Sequence, residues 1–251
     1  MSDLILETRG LSKQFKGFAA VSNVNLKVRR GTIHAVIGPN GAGKTTMFNL
    51  LTKFLAPSSG TILFDGHDIT HENASHVARR GVVRSFQISA VFPKLTVLEN
   101  VRVALQRKAG LAMQFWRSEE CLRSLDDTAM RLLGEVDLQG FAGATTANLA
   151  YGRKRALEIA TTLAMDPTLM LLDEPMAGMG HEDIATVTEL IRKVGVNRTI
   201  VMVEHNLGVV ATLSDTITVM QRGAVLAEGP YETVSRNPQV LEAYVGAPND
   251  D

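Results

Sequence analysis

The sequence is poor in several features that mark particular classes of protein. It contains one cysteine, Cys121, so it cannot form an intrachain disulfide, which fits a reducing compartment. Its basic and acidic residues balance at 26 each, which leaves no net positive charge to hold a polyanion such as DNA. The basic residues fall in short, separated clusters, so we do not expect nucleic acid as a partner.

Long apolar runs are also missing. No uninterrupted run approaches the ~18 apolar residues that a membrane-spanning helix needs. Residues 1–7 carry acidic side chains where a signal peptide would carry positive charge. We therefore expect a cytoplasmic protein that reaches a membrane only through a partner.

What is present centres on a glycine-rich stretch, residues 38–46, which fits the pattern of a phosphate-binding loop. An apolar strand candidate precedes it and apolar residues at helical spacing follow it, which is the context that this motif requires. Glycine has no Cβ, so successive backbone N–H groups can close on phosphate oxygens, aided by the helix N-terminus. The residues expected to bind the nucleotide here are Gly38, Pro39, Asn40, Gly41, Ala42, Gly43, Lys44, Thr45 and Thr46.

Two carboxylates follow a second buried strand candidate, the apolar residues 169–172. Ligands bind at the carboxyl edge of such sheets, so Asp173 and Glu174 are candidates for chemistry on the bound nucleotide. Asp173 would hold Mg²⁺ together with the Thr45 hydroxyl, and Lys44 would face the β- and γ-phosphates. Glu174 would polarise the water that attacks the γ-phosphate.

The chain divides into three regions by its patterns. Strands are predicted over residues 4–11 and 23–28, and residues 88–148 are helical in character. From residue 153 onward strands and helices alternate, which predicts a parallel sheet covered on both faces. Thr96 and Glu99 have the spacing of a capping box that opens a helix. An apolar cluster within residues 111–116 either closes the core of the helical region or docks a membrane partner.

Five elements occur in the order, and at about the intervals, of the nucleotide-binding subunits of ABC transporters. They are residues 38–45, Gln87, residues 149–152 (Leu-Ala-Tyr-Gly), residues 173–174 (Asp-Glu) and His205. In that family these are the Walker A loop, the Q-loop glutamine, the signature motif, Walker B with its catalytic glutamate, and the switch histidine. The resemblance covers essentially the whole chain.

The fold that this resemblance implies is α/β: a P-loop NTPase cassette with a mainly parallel core sheet, an antiparallel β subdomain and an inserted helical subdomain. It implies a single nucleotide-binding domain over residues 1–251. About residues 1–87 and 149–251 would form the RecA-like core with the β subdomain, and about 88–148 the helical subdomain.

The resemblance also implies ATP and Mg²⁺ as cofactors and gives roles to single residues. The catalytic residues would be Glu174, His205, Lys44 and Gln87, and Mg²⁺ would be bound by Thr45, Gln87 and Asp173. Phe15 would stack on adenine, with Phe18 as the competing candidate, and Val21 would pack beneath the ribose. An aromatic residue near a strand end is also ordinary in a core, so packing stays open as the role of Phe15. Residues 150–152, Ala150, Tyr151 and Gly152, would bind the γ-phosphate of ATP held by a facing cassette.

The chain departs from the family pattern in two places, and the first of them, in the signature, points to one branch of the family. The signature usually reads Leu-Ser-Gly-Gly-Gln, whereas this chain has Ala150 without the hydroxyl and a cation at Arg153. The loop after Glu174 ends in Gly180 where the family usually has Asp or Asn. The Leu-Ala-Tyr-Gly form, the helical insertion and residues 237–246 resemble the larger ATPase subunit of branched-chain amino acid importers.

The function expected from this resemblance is ATP hydrolysis that powers an importer of branched-chain amino acids or related small solutes. The partners would be a second cassette, identical or paralogous, and transmembrane permease subunits that receive Phe92 and Pro93. A solute-binding protein would be an indirect partner, and the chain would lie on the inner face of the cell membrane. The alternatives are the ATPase of a lipid or polysaccharide exporter and a cassette acting on nucleic acid or the ribosome.

Overall fold

Two β-sheets form the framework of the protein. The computed structural model describes residues 3–85, 91–108 and 123–245. The first sheet is antiparallel, with strand order β2-β1-β5-β6 and with β3 also paired to β1. Its strands are β1 (Leu4–Phe15), β2 (Phe18–Val24), β3 (Lys27–Arg29), β5 (Ser59–Phe64) and β6 (His67–Asp68).

The second sheet has six strands in the order β11-β10-β4-β9-β8-β7. Its strands are β4 (Ile33–Ile37), β7 (Val82–Ser85), β8 (Leu169–Asp173), β9 (Thr199–Val203), β10 (Thr216–Gln221) and β11 (Ala224–Gly229). All neighbours are parallel except β10 and β11, which form an antiparallel hairpin. The prediction of a mainly parallel core sheet and an antiparallel sheet is confirmed.

Helices cover both faces of the parallel sheet. They are α1 (Lys44–Leu51), α2 (Ala74–Arg79), α3 (Val97–Lys108), α4 (Asp126–Glu135), α5 (Tyr151–Leu163), α6 (His181–Gly195), α7 (Leu207–Leu213), α8 (Tyr231–Val234) and α9 (Pro238–Val245). Short 3₁₀ turns lie at Gln139–Phe141 and Thr146–Asn148. Within the described residues no helix combines the length and apolar character needed to cross a bilayer.

Strand β8 shows why the sheet needs cover on two faces, because every one of its residues is buried. Met170 and Leu172 join a core cluster with the helices of the region from α3 to α7. Leu169 and Leu171 point the other way, into a second cluster that includes α1 and the antiparallel sheet. Strand side chains alternate between faces, so the uninterrupted apolar run seen in the sequence is what a doubly covered strand requires.

Of two local predictions from the sequence, one is confirmed and one is wrong. The capping box is confirmed, since the Thr96 amide donates to Glu99 at 2.7 Å and the Glu99 amide donates to the Thr96 hydroxyl at 3.2 Å. The single strand predicted over residues 23–28 is wrong, because the ladder breaks between β2 and β3. There the Asn25 side chain accepts the Gly10 amide at 2.7 Å and the Leu26 amide donates to a threonine hydroxyl at 2.8 Å. Gln87, Cys121 and the apolar cluster of residues 111–116 lie outside the described residues.

Candidate nucleotide-binding and hydrolysis site

The candidate site lies at the carboxyl edge of the parallel sheet. Strands β4, β9, β8 and β7 are adjacent and parallel, so the segments that follow them emerge on the same side. Val36 pairs with Val203, and Val203 pairs with Asp173. This register brings together three segments that are far apart in sequence: the glycine-rich loop, the carboxylates after β8 and the histidine after β9.

The glycine-rich loop between β4 and α1 accepts only glycine at two positions. A Cβ at Gly38, which has φ of 150°, would lie 2.1 Å from the carbonyl oxygen of Met220. A Cβ at Gly43, with φ of 100°, would lie 2.4 Å from the carbonyl oxygen of Ala20. The loop therefore packs directly against the backbone at Met220 and at Ala20. These contacts fix its path before any ligand binds.

Helix α1 opens directly from this loop. Its N-terminus has no side-chain cap and no acidic residue in the first turn, so its positive end faces the site without competition from those groups. Lys44 is 6% exposed, and its ammonium donates to the carbonyl oxygens of Gly38 at 2.7 Å and Pro39 at 3.0 Å. Burial lowers the pKa of Lys44, and the nearby charges of Glu174 and Asp173 partly oppose that change. Both candidate carboxylates therefore act electrostatically on Lys44.

Asp173, the last residue of β8, is almost fully buried at 1% exposure. Its Oδ2 forms a salt bridge with the Arg84 guanidinium, while its Oδ1 is buried and makes no hydrogen bond with the described part of the chain. A buried carboxylate oxygen without a donor is suited to a hard cation such as Mg²⁺. The Thr45 hydroxyl, on an exposed residue in the first turn of α1, supplies a second oxygen of the expected kind.

Arg84 is a site residue that sequence reasoning missed. It lies on β7, and its Nη1 also donates to Asn49 Oδ1 at 2.6 Å, with the guanidinium 5.8 Å from the ring centre of Phe48. Arg84 therefore joins the edge strand to α1 and to Asp173 in one buried contact. The only signal in the sequence is a cation in an apolar strand three residues before Gln87.

Glu174 and His205, which were both expected to be catalytic, contact each other. Glu174 has a φ of 45°, and its amide donates to the Val203 carbonyl at 2.9 Å. This turn brings the carboxylate back toward the end of β9, where His205 Nε2 donates to Glu174 Oε1 over 3.1 Å. Both side chains keep contact with solvent, at 25% exposed for Glu174 and 45% for His205. A carboxylate oriented by an imidazole at a wet edge is an arrangement that can activate water.

Comparisons with known proteins show the family of this chain. A model of the ABC transporter family matches residues 21–177, and a model of the branched-chain amino acid ATP-binding cassette transporter matches residues 224–248. The chain is 42% identical to the high-affinity branched-chain amino acid transport ATP-binding protein BraF of Pseudomonas aeruginosa, over 98% of this chain and 99% of the relative. The chain belongs to the ABC transporter ATP-binding family.

Other relatives support the same assignment. LivG of Escherichia coli, a protein with the same description as BraF, is 40% identical over 98% of this cassette and 99% of its own length. The ADP conformation of the cassette MJ1267 has a TM-score of 0.85 at 27% identity, covering 98% of this chain and all of that one. A dimeric structure of the bacterial ABC transporter cassette MJ0796 matches with a TM-score of 0.73 at 25% identity, over 90% and 98% of the two chains.

The signature stretch of this cassette opens α5. Ala150 occupies the N-cap position and supplies no side-chain hydrogen bond, while Tyr151 is 53% exposed. The Tyr151 hydroxyl donates to the Ala177 carbonyl at 3.0 Å, which ties the signature to the loop after Glu174. Gly152 allows close packing, since a Cβ there would lie 2.5 Å from Asp183 Oδ1. The Arg153 guanidinium stacks 4.1 Å from the ring centre of Phe141, so it already has an aromatic partner within its own chain.

The residues expected near the base and sugar differ in exposure. Phe15 is 43% exposed and Phe18 is 67% exposed; they face each other across the β1–β2 hairpin, so both can be reached by a ligand. Val21 has no exposed surface and packs in the core beside the antiparallel sheet. The structure therefore gives Val21 a packing role and no surface for a ribose. Phe92 and Pro93, expected to meet the permease, are both exposed.

Proposed function

We propose that this chain is the ATP-hydrolysing subunit of an importer of branched-chain amino acids. Membership of the ABC transporter ATP-binding family supports the ATPase activity. The similarity to BraF and LivG, and the match of residues 224–248 to the branched-chain cassette model, support the solute class. The observation that carries the hydrolytic part is the Glu174–His205 contact beside the phosphate-binding loop.

Nucleotide binding would begin at the loop of residues 38–46. The glycine backbone and the open N-terminus of α1 offer N–H groups to the phosphates. Lys44, held at present by two loop carbonyls, would exchange them for β- and γ-phosphate oxygens. Phe15 or Phe18 would stack on the adenine, since both rings are accessible at the hairpin.

Hydrolysis would use the pair at the carboxyl edge. Glu174 accepts a proton from a water molecule while the oxygen of that water attacks the γ-phosphorus. The bond between the γ-phosphorus and the β–γ bridging oxygen then breaks. His205 holds the Glu174 carboxylate and can donate to the γ-phosphate once the nucleotide is present. Lys44 balances the negative charge that builds on the leaving diphosphate.

Mg²⁺ would be held by residues that suit a hard cation. Asp173 offers a buried carboxylate oxygen and Thr45 a hydroxyl, and Gln87 is the third candidate from the sequence. When bound, the ion would neutralise charge on the β- and γ-phosphates. Arg84, paired to the other oxygen of Asp173, orients that carboxylate before the ion arrives.

The site would be completed by a second cassette. Residues 150–152 would reach the ATP of the facing cassette through backbone N–H groups at the start of α5. Cassettes of this family work as dimers with permease components, and the exposed Phe92 and Pro93 are candidates for the permease contact. A solute-binding protein would deliver the amino acid to the permease from the other side of the membrane.

The proposal is tested by uptake of labelled leucine, isoleucine and valine in cells lacking this chain. We expect uptake to be restored by the wild-type chain and not by Glu174→Gln. The control is Glu72→Gln, which changes a partly exposed carboxylate that is paired with Arg80 and is not one of the residues assigned to the site. If uptake does not fall when the chain is removed from cells that have no other such importer, the solute assignment is wrong.

A further inference from the structure

We propose that Glu204 is a positioning residue that holds Glu174 and His205 in their hydrolytic arrangement. The proposal rests on the function proposed above and adds a residue to its machinery. Glu204 lies between Val203, the end of β9, and His205. Its side chain is 4% exposed, so a carboxylate is buried directly beside the candidate catalytic pair.

The hydrogen bonds of Glu204 join two separate loops. Its Oε1 accepts the Met176 amide at 2.9 Å, from the loop that follows Glu174. Its Oε2 accepts the amides of His205 at 2.9 Å and Asn206 at 3.1 Å. One carboxylate therefore fixes the backbone on both sides of the Glu174–His205 contact.

The bonding pattern calls for a carboxylate in particular. Three amide donors converge on its two oxygens, and an ionised carboxylate only accepts hydrogen bonds. A glutamine would keep the shape of the side chain but turn an NH₂ group toward at least one of these donors. Charge-assisted bonds from backbone N–H are also roughly twice as strong as neutral ones. Among the described residues no basic side chain forms a salt bridge with Glu204, so the amides carry its stabilisation.

The loop that Glu204 holds also receives the signature stretch. Ala177, next to Met176, accepts the Tyr151 hydroxyl at 3.0 Å, and its amide donates to the Glu174 carbonyl at 3.0 Å. The Glu204 carboxylate thus lies where the signature, the catalytic glutamate and the histidine loop of one cassette meet. A shift of the backbone here would change the 3.1 Å distance between His205 Nε2 and Glu174 Oε1.

A purely structural role makes a different prediction. If Glu204 only satisfies amides at strand ends, its replacement lowers stability and leaves catalysis in the folded protein intact. If Glu204 positions Glu174 and His205, its replacement lowers kcat, and part of that loss disappears when His205 is already absent. The two roles are separated by a double-mutant cycle.

The test uses Glu204→Gln, His205→Ala and the double variant in the full chain, purified with its co-expressed partner subunits. We expect Glu204→Gln to lower kcat for ATP hydrolysis at least about tenfold. This is less than the rate enhancement of about 10²–10⁴-fold that a positioned general base contributes. KM for ATP should stay within about twofold, because the phosphate-binding loop is untouched. In the His205→Ala background the same change should lower kcat by a smaller factor than in the wild type, because one of the two groups that Glu204 positions is already absent.

The matched control is Thr8→Val. Thr8 is also buried, at 1% exposure, and its hydroxyl joins two backbone groups of the antiparallel sheet, at 2.9 Å and 2.8 Å. This variant should lower the unfolding temperature and keep kcat. A Glu204→Gln protein with wild-type kcat, or with an equal fold-loss when His205 is already alanine, would overturn the proposal.

A second measurement does not depend on turnover. The His205 imidazole signal, followed by NMR of the full chain labelled at histidine nitrogen, reports the contact with Glu174. We expect Glu174→Gln and Glu204→Gln to move this signal in the same direction, and an unmoved signal in Glu204→Gln contradicts the proposal. Failure of the proposed function would look different, because hydrolysis would then be unchanged in Glu174→Gln itself.

Discussion

The buried salt bridge between Arg84 and Asp173 supports a quantitative prediction about stability. Arg84→Met keeps a long apolar stem and removes the guanidinium, which leaves the Asp173 carboxylate buried without its cation. The side chains are 10% and 1% exposed, so solvent can do little to replace the lost partner. Breaking a buried pair in this way costs about 3–5 kcal/mol of unfolding free energy. For a chain of this size that corresponds to about 6–20 °C in Tm.

The assay is denaturant unfolding of the purified chain without nucleotide, in the presence of a chelator, followed by circular dichroism. The partner variant is Asp173→Asn, which removes the charge that Arg84 compensates. We expect Arg84→Met to cost much less in the Asp173→Asn background, with a coupling energy of about 2–3 kcal/mol. The hydrogen bond from Arg84 to Asn49 is lost in both backgrounds, so it cancels from that coupling.

Mg²⁺ with ATP provides an independent check on the same residues. A divalent cation held by Asp173 would supply the positive charge that Arg84→Met removes. The stability gap between wild type and Arg84→Met should therefore narrow when Mg²⁺ and ATP are both present. Two results would refute the reasoning. One is a loss of unfolding free energy below about 1 kcal/mol for Arg84→Met, and the other is an equal loss for Arg84→Met in the wild-type and Asp173→Asn backgrounds.

Three further predictions concern single positions. Lys44→Ala should abolish ATP binding, whereas Glu174→Gln should keep binding and stall hydrolysis; calorimetric titration and phosphate release distinguish the two, and undiminished turnover by Glu174→Gln would remove that residue from the mechanism. Gly43→Ala places a methyl group 2.4 Å from a backbone carbonyl, so it should lower Tm and weaken ATP binding together. His34 is buried against the Thr218 hydroxyl at 2.7 Å, and burial lowers the pKa of His34 to about 4 from its usual 6.5. The unfolded chain then binds a proton that the folded chain does not, so stability should fall by about 3 kcal/mol between pH 6.5 and 4. His34→Gln should flatten this part of the unfolding profile, and an unchanged profile would assign the acid sensitivity to other groups.

The sequence predicts those parts of the fold and the site that depend only on residues close together in the chain. Two such features are the glycine pattern of residues 38–46 and the apolar run before Asp173. The glycine pattern follows strand β4 and the apolar run forms strand β8, as the sequence predicts. The capping box at Thr96 is of the same kind. Such features need only local spacing, because strand and helix periodicity determine which side chains share a face.

The contacts that sequence reasoning missed join residues far apart in the chain. Arg84 and Asp173 are 89 positions apart, and Glu204 and Met176 are 28 apart. Each pair depends on the order of strands in the sheet, which one sequence does not determine. Val21 was expected to pack beneath a ribose, but its side of the β2 strand faces the core. Only the packing of the sheet reveals this. The break between β2 and β3 likewise depends on contacts with β1, one to the Gly10 amide and one to the Thr8 hydroxyl.

The loop after Glu174 links the candidate hydrolytic pair, Glu174 and His205, to the stretch proposed to meet a second cassette. Tyr151 bonds Ala177, and Glu204 bonds Met176, so the signature and the histidine loop are attached to adjacent residues. In a composite dimer, movement of the signature onto the facing cassette's ATP would be transmitted to Glu174 of the same chain. Within one chain this link consists of backbone hydrogen bonds and the Tyr151 hydroxyl, and it includes neither the Ala150 side chain nor Gly180.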